Sequence, residues 1–156
     1  MPEFSQIEIA AMSTAMDAAR AAAEAGEAPI GAVVLSPDCE MIAIAGNAPI
    51  ATNDPTAHAE IRALRAAAAR LGNYRLTGCT LVVTLEPCAM CAGAISHARI
   101  ARLVFGASDE KGGAVVSGPR FFEQNTCHWR PDTAGGLMAH ESADLLRGFF
   151  RKRRTK

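Results

Sequence analysis

Two short segments hold residues suited to bind a metal ion and to move a proton: His58-Ala59-Glu60 and Pro87-Cys88-Ala89-Met90-Cys91. One imidazole and two thiolates form a borderline-to-soft donor set that suits zinc, one ion per chain. Cys88 and Cys91 stand three apart, so on a helix both sulfurs share one face. Pro87 fits a first helical position, which predicts that this helix begins there. Free backbone N–H groups and the positive end of the helix then stabilise the thiolates. His58 is predicted in the first turn of a second helix over 57–71, with Thr56 as its N-cap. His58 and Glu60 point roughly 200° apart on a regular helix, so both serve one pocket only if that helix meets it end-on. The expectation is therefore that two helix N-termini converge on one ion. Three protein ligands are the mark of a catalytic zinc with a water in the fourth position, and Glu60 is the candidate to ionise that water.

Plainer readings compete. A lone C-x-x-C also fits a redox dithiol, in which case His58 and Glu60 have no role. Cys127, His128 or His97 would close a structural zinc site if one of them supplied a fourth ligand. The joint pattern of H-x-E and then P-C-x-x-C about thirty residues later is the known signature of zinc deaminases. Cys79 reads as strand packing, Cys39 falls in a turn, and Cys127 has no assigned role.

The elements that must hold these residues alternate in type. A helix is predicted over 6–25, with Gly26 as its stop. Residues 30–35 read as a buried strand and 41–45 as its hairpin partner, followed by a loop over 46–56. Strands over 79–85 and 102–105 flank the helix that runs from Pro87 to about His97. Residues 107–120 read as a glycine-rich loop, with one short turn at 120–124. A weak strand around 126–130 and a last helix over 141–153 complete the order. Such alternation with one hairpin predicts an α/β fold: a three-layer α/β/α sandwich on a central mixed sheet of about five strands. A chain of 156 residues with 49% hydrophobic content suits one domain over 1–156, ending in a basic helix.

No apolar run reaches the roughly 18 residues of a membrane span, so no membrane role is expected. The N-terminus lacks a basic stretch ahead of an apolar one, which makes cytoplasmic location the expectation. The net charge of zero conceals an asymmetry: 147–156 hold six basic residues and no acid, against ten basic and sixteen acidic elsewhere. A basic edge on an acidic body predicts a polyanionic partner. Phe149 and Phe150 beside Arg153 and Arg154 pair stacking surface with phosphate-seeking charge. The alternative is a core-facing Phe on a solvated helix end.

Whole stretches carry a resemblance. GEAPIGAVV, NDPTAHAEIRAL, TLEPCAMCAGAI, RLVFGASDEKGGA and LLRGFFRKRR are similar to the bacterial tRNA-specific adenosine deaminases, within the cytidine deaminase superfamily. The resemblance runs from about residue 10 to 154 and implies a cytidine deaminase-like fold. It implies conversion of the wobble adenosine of a tRNA anticodon loop to inosine, usually by a homodimer. By position it makes His58, Cys88 and Cys91 the zinc ligands and Glu60 the proton shuttle. It sets Asn47 against the target base, Asp109 beside the substrate strand, and Phe149, Phe150, Arg153 and Arg154 on the anticodon loop. The backbone N–H near Ala59 is a candidate to steady developing oxygen charge, and Ile30 and Pro49 to wall the pocket. Gly148 departs from members that carry aspartate there, and the 115–129 segment resembles only some members. Two other functions share the motif: deamination of free bases or nucleosides such as guanine or cytosine, and a non-catalytic zinc-stabilised RNA-binding subunit.

Overall fold

The computed structural model describes residues 2–154. In chain order the elements are α1 (Gln6–Glu24), β1 (Gly31–Leu35), β2 (Met41–Gly46), α2 (Pro49–Thr52), α3 (Ala59–Leu71), β3 (Thr80–Leu85), α4 (Ala89–His97), β4 (Arg102–Ala107), a 3-10 turn (Phe121–Glu123), β5 (Asp132–Gly135) and α5 (Ala139–Arg154). The five strands form one mixed sheet in the order β2-β1-β3-β4-β5. β1 runs antiparallel to both neighbours, while β3, β4 and β5 are parallel.

Side chains alternate across a strand, so each strand feeds two cores. Val33, Val82 and Val104 face α1 together with Ala11, Met12 and Ala15. Val34, Leu81, Val83, Leu103 and Phe105 face the other way, toward Ala63, Leu64 and Ala67 of α3 and Ala92 and Ile95 of α4. α5 lies beside α1 on the first face. The result is the three-layer sandwich that the alternation of elements predicts. The alanines of α1 allow a close approach: a Cβ at Gly31 would stand 1.9 Å from the Ala15 carbonyl oxygen. Arg102 on β4 bonds Glu8 of α1 at 2.6 Å and Asp132 of β5 at 2.6 Å, tying three elements at the other end of the sheet.

Four local expectations are corrected. Thr56 does not cap α3, because its hydroxyl and its N–H both bond Asp54; the cap falls on His58. α4 begins two residues after Pro87, with Cys88 as its N-cap. The loop after β2 contains the short α2, supported from outside by Glu27. The last strand is not at 126–130 but at Asp132–Gly135. Trp129 is held to α4 and its exit by bonds with Ser96 and the Ile100 carbonyl, so pairing with β4 begins only past Pro131.

Candidate active site

The sheet topology gathers the functional segments at one edge. β3 ends at Leu85, two residues short of Pro87-Cys88. β1 is antiparallel to β3, so its start at Gly31 lies beside that end, and β2 finishes opposite Gly31 at Gly46. β4 pairs Ala107 with Leu85, which brings Asp109 to the same edge. Open α/β sheets place ligands at this kind of crevice, outside the carboxyl ends of strands.

His58 and Cys88 are both N-caps with extended backbone, at φ −69°, ψ 155° and φ −75°, ψ 177°. As a cap, His58 lies outside the first turn of α3, so the 200° separation from Glu60 does not apply. Its imidazole makes no capping bond to its own helix. Asn47 does that work from the neighbouring loop, its Oδ1 accepting from the Ala59 N–H at 2.7 Å.

His58 Nδ1 lies 3.6 Å from Cys88 Sγ and 3.5 Å from Cys91 Sγ. Zinc bonds of about 2.05 Å to nitrogen and about 2.3 Å to sulfur, at the tetrahedral angle, put N and S about 3.6 Å apart. The three donors thus have the spacing of ligands to one ion. Among the described residues this is the one group of three or more His, Cys, Asp or Glu donors with ligand atoms within 4.8 Å of one another. Cys127 is committed elsewhere, with its sulfur on Ser96 and the Trp129 carbonyl. Hydrogen bonding from the Cys91 thiol, aided by His58, pulls the Cys88 thiol down to about 4. The same Cys88 sulfur and burial push Cys91 up. The hydrogen bond with Cys88 and the nearby Glu60 carboxylate raise His58. Glu60 is 4% exposed. Burial drives its carboxyl above the ordinary range, against the opposing pull of His58 and Cys91.

Residues 5–107 match the family described as the cytidine and deoxycytidylate deaminase zinc-binding region. A tRNA-specific adenosine deaminase of Agrobacterium fabrum is 56% identical over 92% of this chain and 93% of its own. One from Haemophilus influenzae is 48% identical over 93% and 84%. A structure from a study of A-to-I editing by tRNA:A34 deaminases at the wobble position of transfer RNA superposes with a TM-score of 0.86. It is 55% identical and covers 88% of this chain and 99% of its own. The chain belongs to the cytidine and deoxycytidylate deaminase family. Zinc is the cofactor of this deaminase, and His58, Cys88 and Cys91 have the chemistry and spacing to hold it.

The other expected site residues divide among three places in the deaminase. Asn47, Ala59, Ile30 and Pro49 cluster around the loop after β2. The Asn47 N–H bonds the Ile30 carbonyl at 3.0 Å, Ile30 packs on the core, and Pro49 opens α2. The Ala59 N–H is already spent on Asn47. Asp109 shares a cleft of about 890 Å³ with Phe150, Arg153 and Arg154. Phe149 is not in that cleft; it lines a groove against Ala23 and Glu24 of α1, and Arg153 stacks on its ring at 5.2 Å. Gly148 lines the same groove, with open space where a Cβ would stand. Two buried acids escaped sequence reasoning. Glu27 accepts from the Ile50 and Ala51 N–H groups and so holds α2, and Glu86 sits between β3 and the Cys88–Cys91 pair. A carboxylate next to an apolar strand that no nearby cation explains was the available signal for both.

Proposed function

We propose that this zinc deaminase converts adenosine at the wobble position of a tRNA anticodon to inosine and releases ammonia. The observation that carries the reading is the His58–Cys88–Cys91 cluster with Glu60 buried beside it, in a chain 56% identical to a tRNA-specific adenosine deaminase. His58, Cys88 and Cys91 would hold the zinc. When bound, zinc lowers the pKa of water and so supplies a hydroxide nucleophile near neutral pH. Glu60 takes the first proton from water and passes it to N1 of the adenine ring. It then carries the second proton to the amino nitrogen at C6, which leaves as ammonia. A carboxyl raised by burial suits a group that must act as base and then as acid. Because Asn47 Oδ1 is held by Ala59, its amide nitrogen is the group left to donate to the base.

The Asp109 cleft, with Phe150, Arg153 and Arg154, supports an RNA strand as substrate by combining a stacking face with phosphate-seeking charge. The chain works as one domain, since helices from both ends pack on a single sheet. Homodimerisation is part of the reading, supported by an apolar groove of about 340 Å³ between α3 and α4, lined by Ile61, Leu64 and the exposed Tyr74. Sedimentation as a monomer at micromolar concentration would remove the dimer. Among the described residues no helix is long and apolar enough to cross a membrane. Cytoplasmic location belongs to the proposal through its tRNA substrate.

The deciding experiment incubates zinc-loaded protein with an anticodon stem–loop bearing adenosine at the first anticodon position, alongside free adenosine, guanine and cytosine. Inosine at that position with matched ammonia release is the expected result. Turnover of free bases alone would move the protein to the free-base deaminases. No ammonia from any substrate would leave an RNA-binding zinc subunit.

A further inference from the structure

Glu86 is 2% exposed and lies two residues before Cys88. Its carboxylate collects five hydrogen bonds from one loop. Oε2 accepts from the N–H groups of Val115, Val116 and Ser117 at 2.9, 2.9 and 3.0 Å. Oε1 accepts from the Asp109 N–H at 2.9 Å and from the Ser117 hydroxyl at 2.9 Å. Three successive amides aimed at one oxygen form an anion-binding nest, here filled by the protein's own carboxylate. The loop is moulded around that group: a Cβ at Gly113 would stand 2.4 Å from Glu86 Cδ and 2.5 Å from the Asp109 carbonyl oxygen. Both ends of the Glu86-Pro87 dipeptide are also tied, its N–H to the Ala107 carbonyl and the Pro87 carbonyl to the Ala114 N–H, each at 2.9 Å. One end of this same loop, Ser108–Lys111, is the wall of the cleft that faces Arg147, Phe150, Arg153 and Arg154 of α5.

We infer that Glu86 is a positioning residue: it holds the 109–117 loop in register with the cysteine-bearing segment and so fixes the wall against which an RNA strand is bound. The inference rests on the reading that the substrate strand passes through the Asp109 cleft. Glu86 touches neither the base nor the reacting atoms, so it acts on how firmly the strand is held. Its loss weakens RNA binding and spares the chemical step.

The test uses the zinc-loaded protein, its Glu86→Gln and Ser117→Ala variants, and the anticodon stem–loop. Glutamine keeps the shape but turns one acceptor into a donor facing N–H groups. KM for the stem–loop is expected to rise on the order of tenfold in Glu86→Gln and about threefold in Ser117→Ala, with kcat within about twofold. Zinc content stays that of the parent. Amide hydrogen exchange at 109 and 115–117 speeds up on the order of tenfold in Glu86→Gln. Three results overturn the inference: unchanged exchange at those amides, a fall in kcat at constant KM, or loss of zinc. If Glu86→Gln does not fold, Ser117→Ala decides, and unchanged KM with unchanged exchange at 115–117 overturns it. A parent protein that makes no inosine in the stem–loop refutes the substrate reading instead. The exchange measurement needs no RNA, so it then decides for or against Glu86 by itself.

Discussion

Replacing Glu60 by glutamine separates its cost to the fold from its use in the reaction. The carboxyl is 4% exposed, and burial pushes it above the ordinary range. A neutral amide of the same shape removes the cost of burying a charge, so melting temperature should hold or rise. Zinc content should not change, because Glu60 is not one of the three donors proposed to hold the ion, His58, Cys88 and Cys91. Turnover should collapse. One proton-transfer role is worth about 10²–10⁴ in rate, and Glu60 is assigned two. A loss of at least about 10³ in kcat follows, or about 4 kcal/mol of transition-state stabilisation. The assay counts inosine per chain in the stem–loop, with zinc measured by mass spectrometry and stability by thermal melting. A zinc-replete Glu60→Gln protein within about tenfold of the parental kcat would refute the proton-shuttle argument. Loss of zinc along with activity would make Glu60 a metal-holding group, contrary to the geometry.

Cys91→Ser should abolish stoichiometric zinc, since the hydroxyl replaces a fully buried sulfur 3.5 Å from His58 Nδ1; parental zinc content after chelator dialysis would contradict the ligand set. Asn47→Ala strands the Ala59 N–H at the start of α3 and should cost about 1–3 kcal/mol in a urea melt, besides activity. A melt within about 0.5 kcal/mol of the parent would mean that water or another group caps the helix equally well. Glu8 gives a pH signature. Burial raises its carboxyl, but Arg102 and Ser5 outweigh burial and leave it below 4.5. Its stabilisation is therefore complete above 4.5 and drains away as pH falls through the lowered value. Glu8→Gln should cost about 1–2 kcal/mol at pH 7, and the gap to the parent should close on the acid side. A gap independent of pH would remove the ion pair from the account.

How much could be read from sequence depended on how local the cause was. The His58–Cys88–Cys91 cluster was legible because donor types and spacing mark it: Cys88 three from Cys91, with His58 thirty residues before Cys88. Sheet and layers were legible because apolar runs such as Leu81–Val83 and Leu103–Phe105 leave few other arrangements. Causes that sit far away in the chain left no local trace. Thr56 looks like a cap until Asp54 takes its hydroxyl. α2 persists because Glu27, more than twenty residues earlier, accepts from Ile50 and Ala51. Asp132–Gly135 has a poor strand composition and becomes a strand only by pairing with β4, while the better-looking 126–130 is held to α4 through Ser96.

The buried acids supply a separate argument for where the chemistry lies. Among the described residues four acids are buried: Glu8, Glu27, Glu60 and Glu86. Glu8 answers Arg102 and caps α1 through Ser5. Glu27 answers two amides, and Glu86 four amides and a hydroxyl. Each of these three stitches separate segments together, and a buried carboxylate with such partners is an ordinary structural device. Glu60 differs in kind. The groups that act on it are its own N–H, His58 and the two cysteine sulfurs, and its carboxyl is pushed up while those of Glu8 and Glu86 are held down. A carboxyl that costs energy to bury, and whose side-chain partner is Cys91 of the metal cluster rather than a loop or a cap, fits the proton-moving role proposed for Glu60.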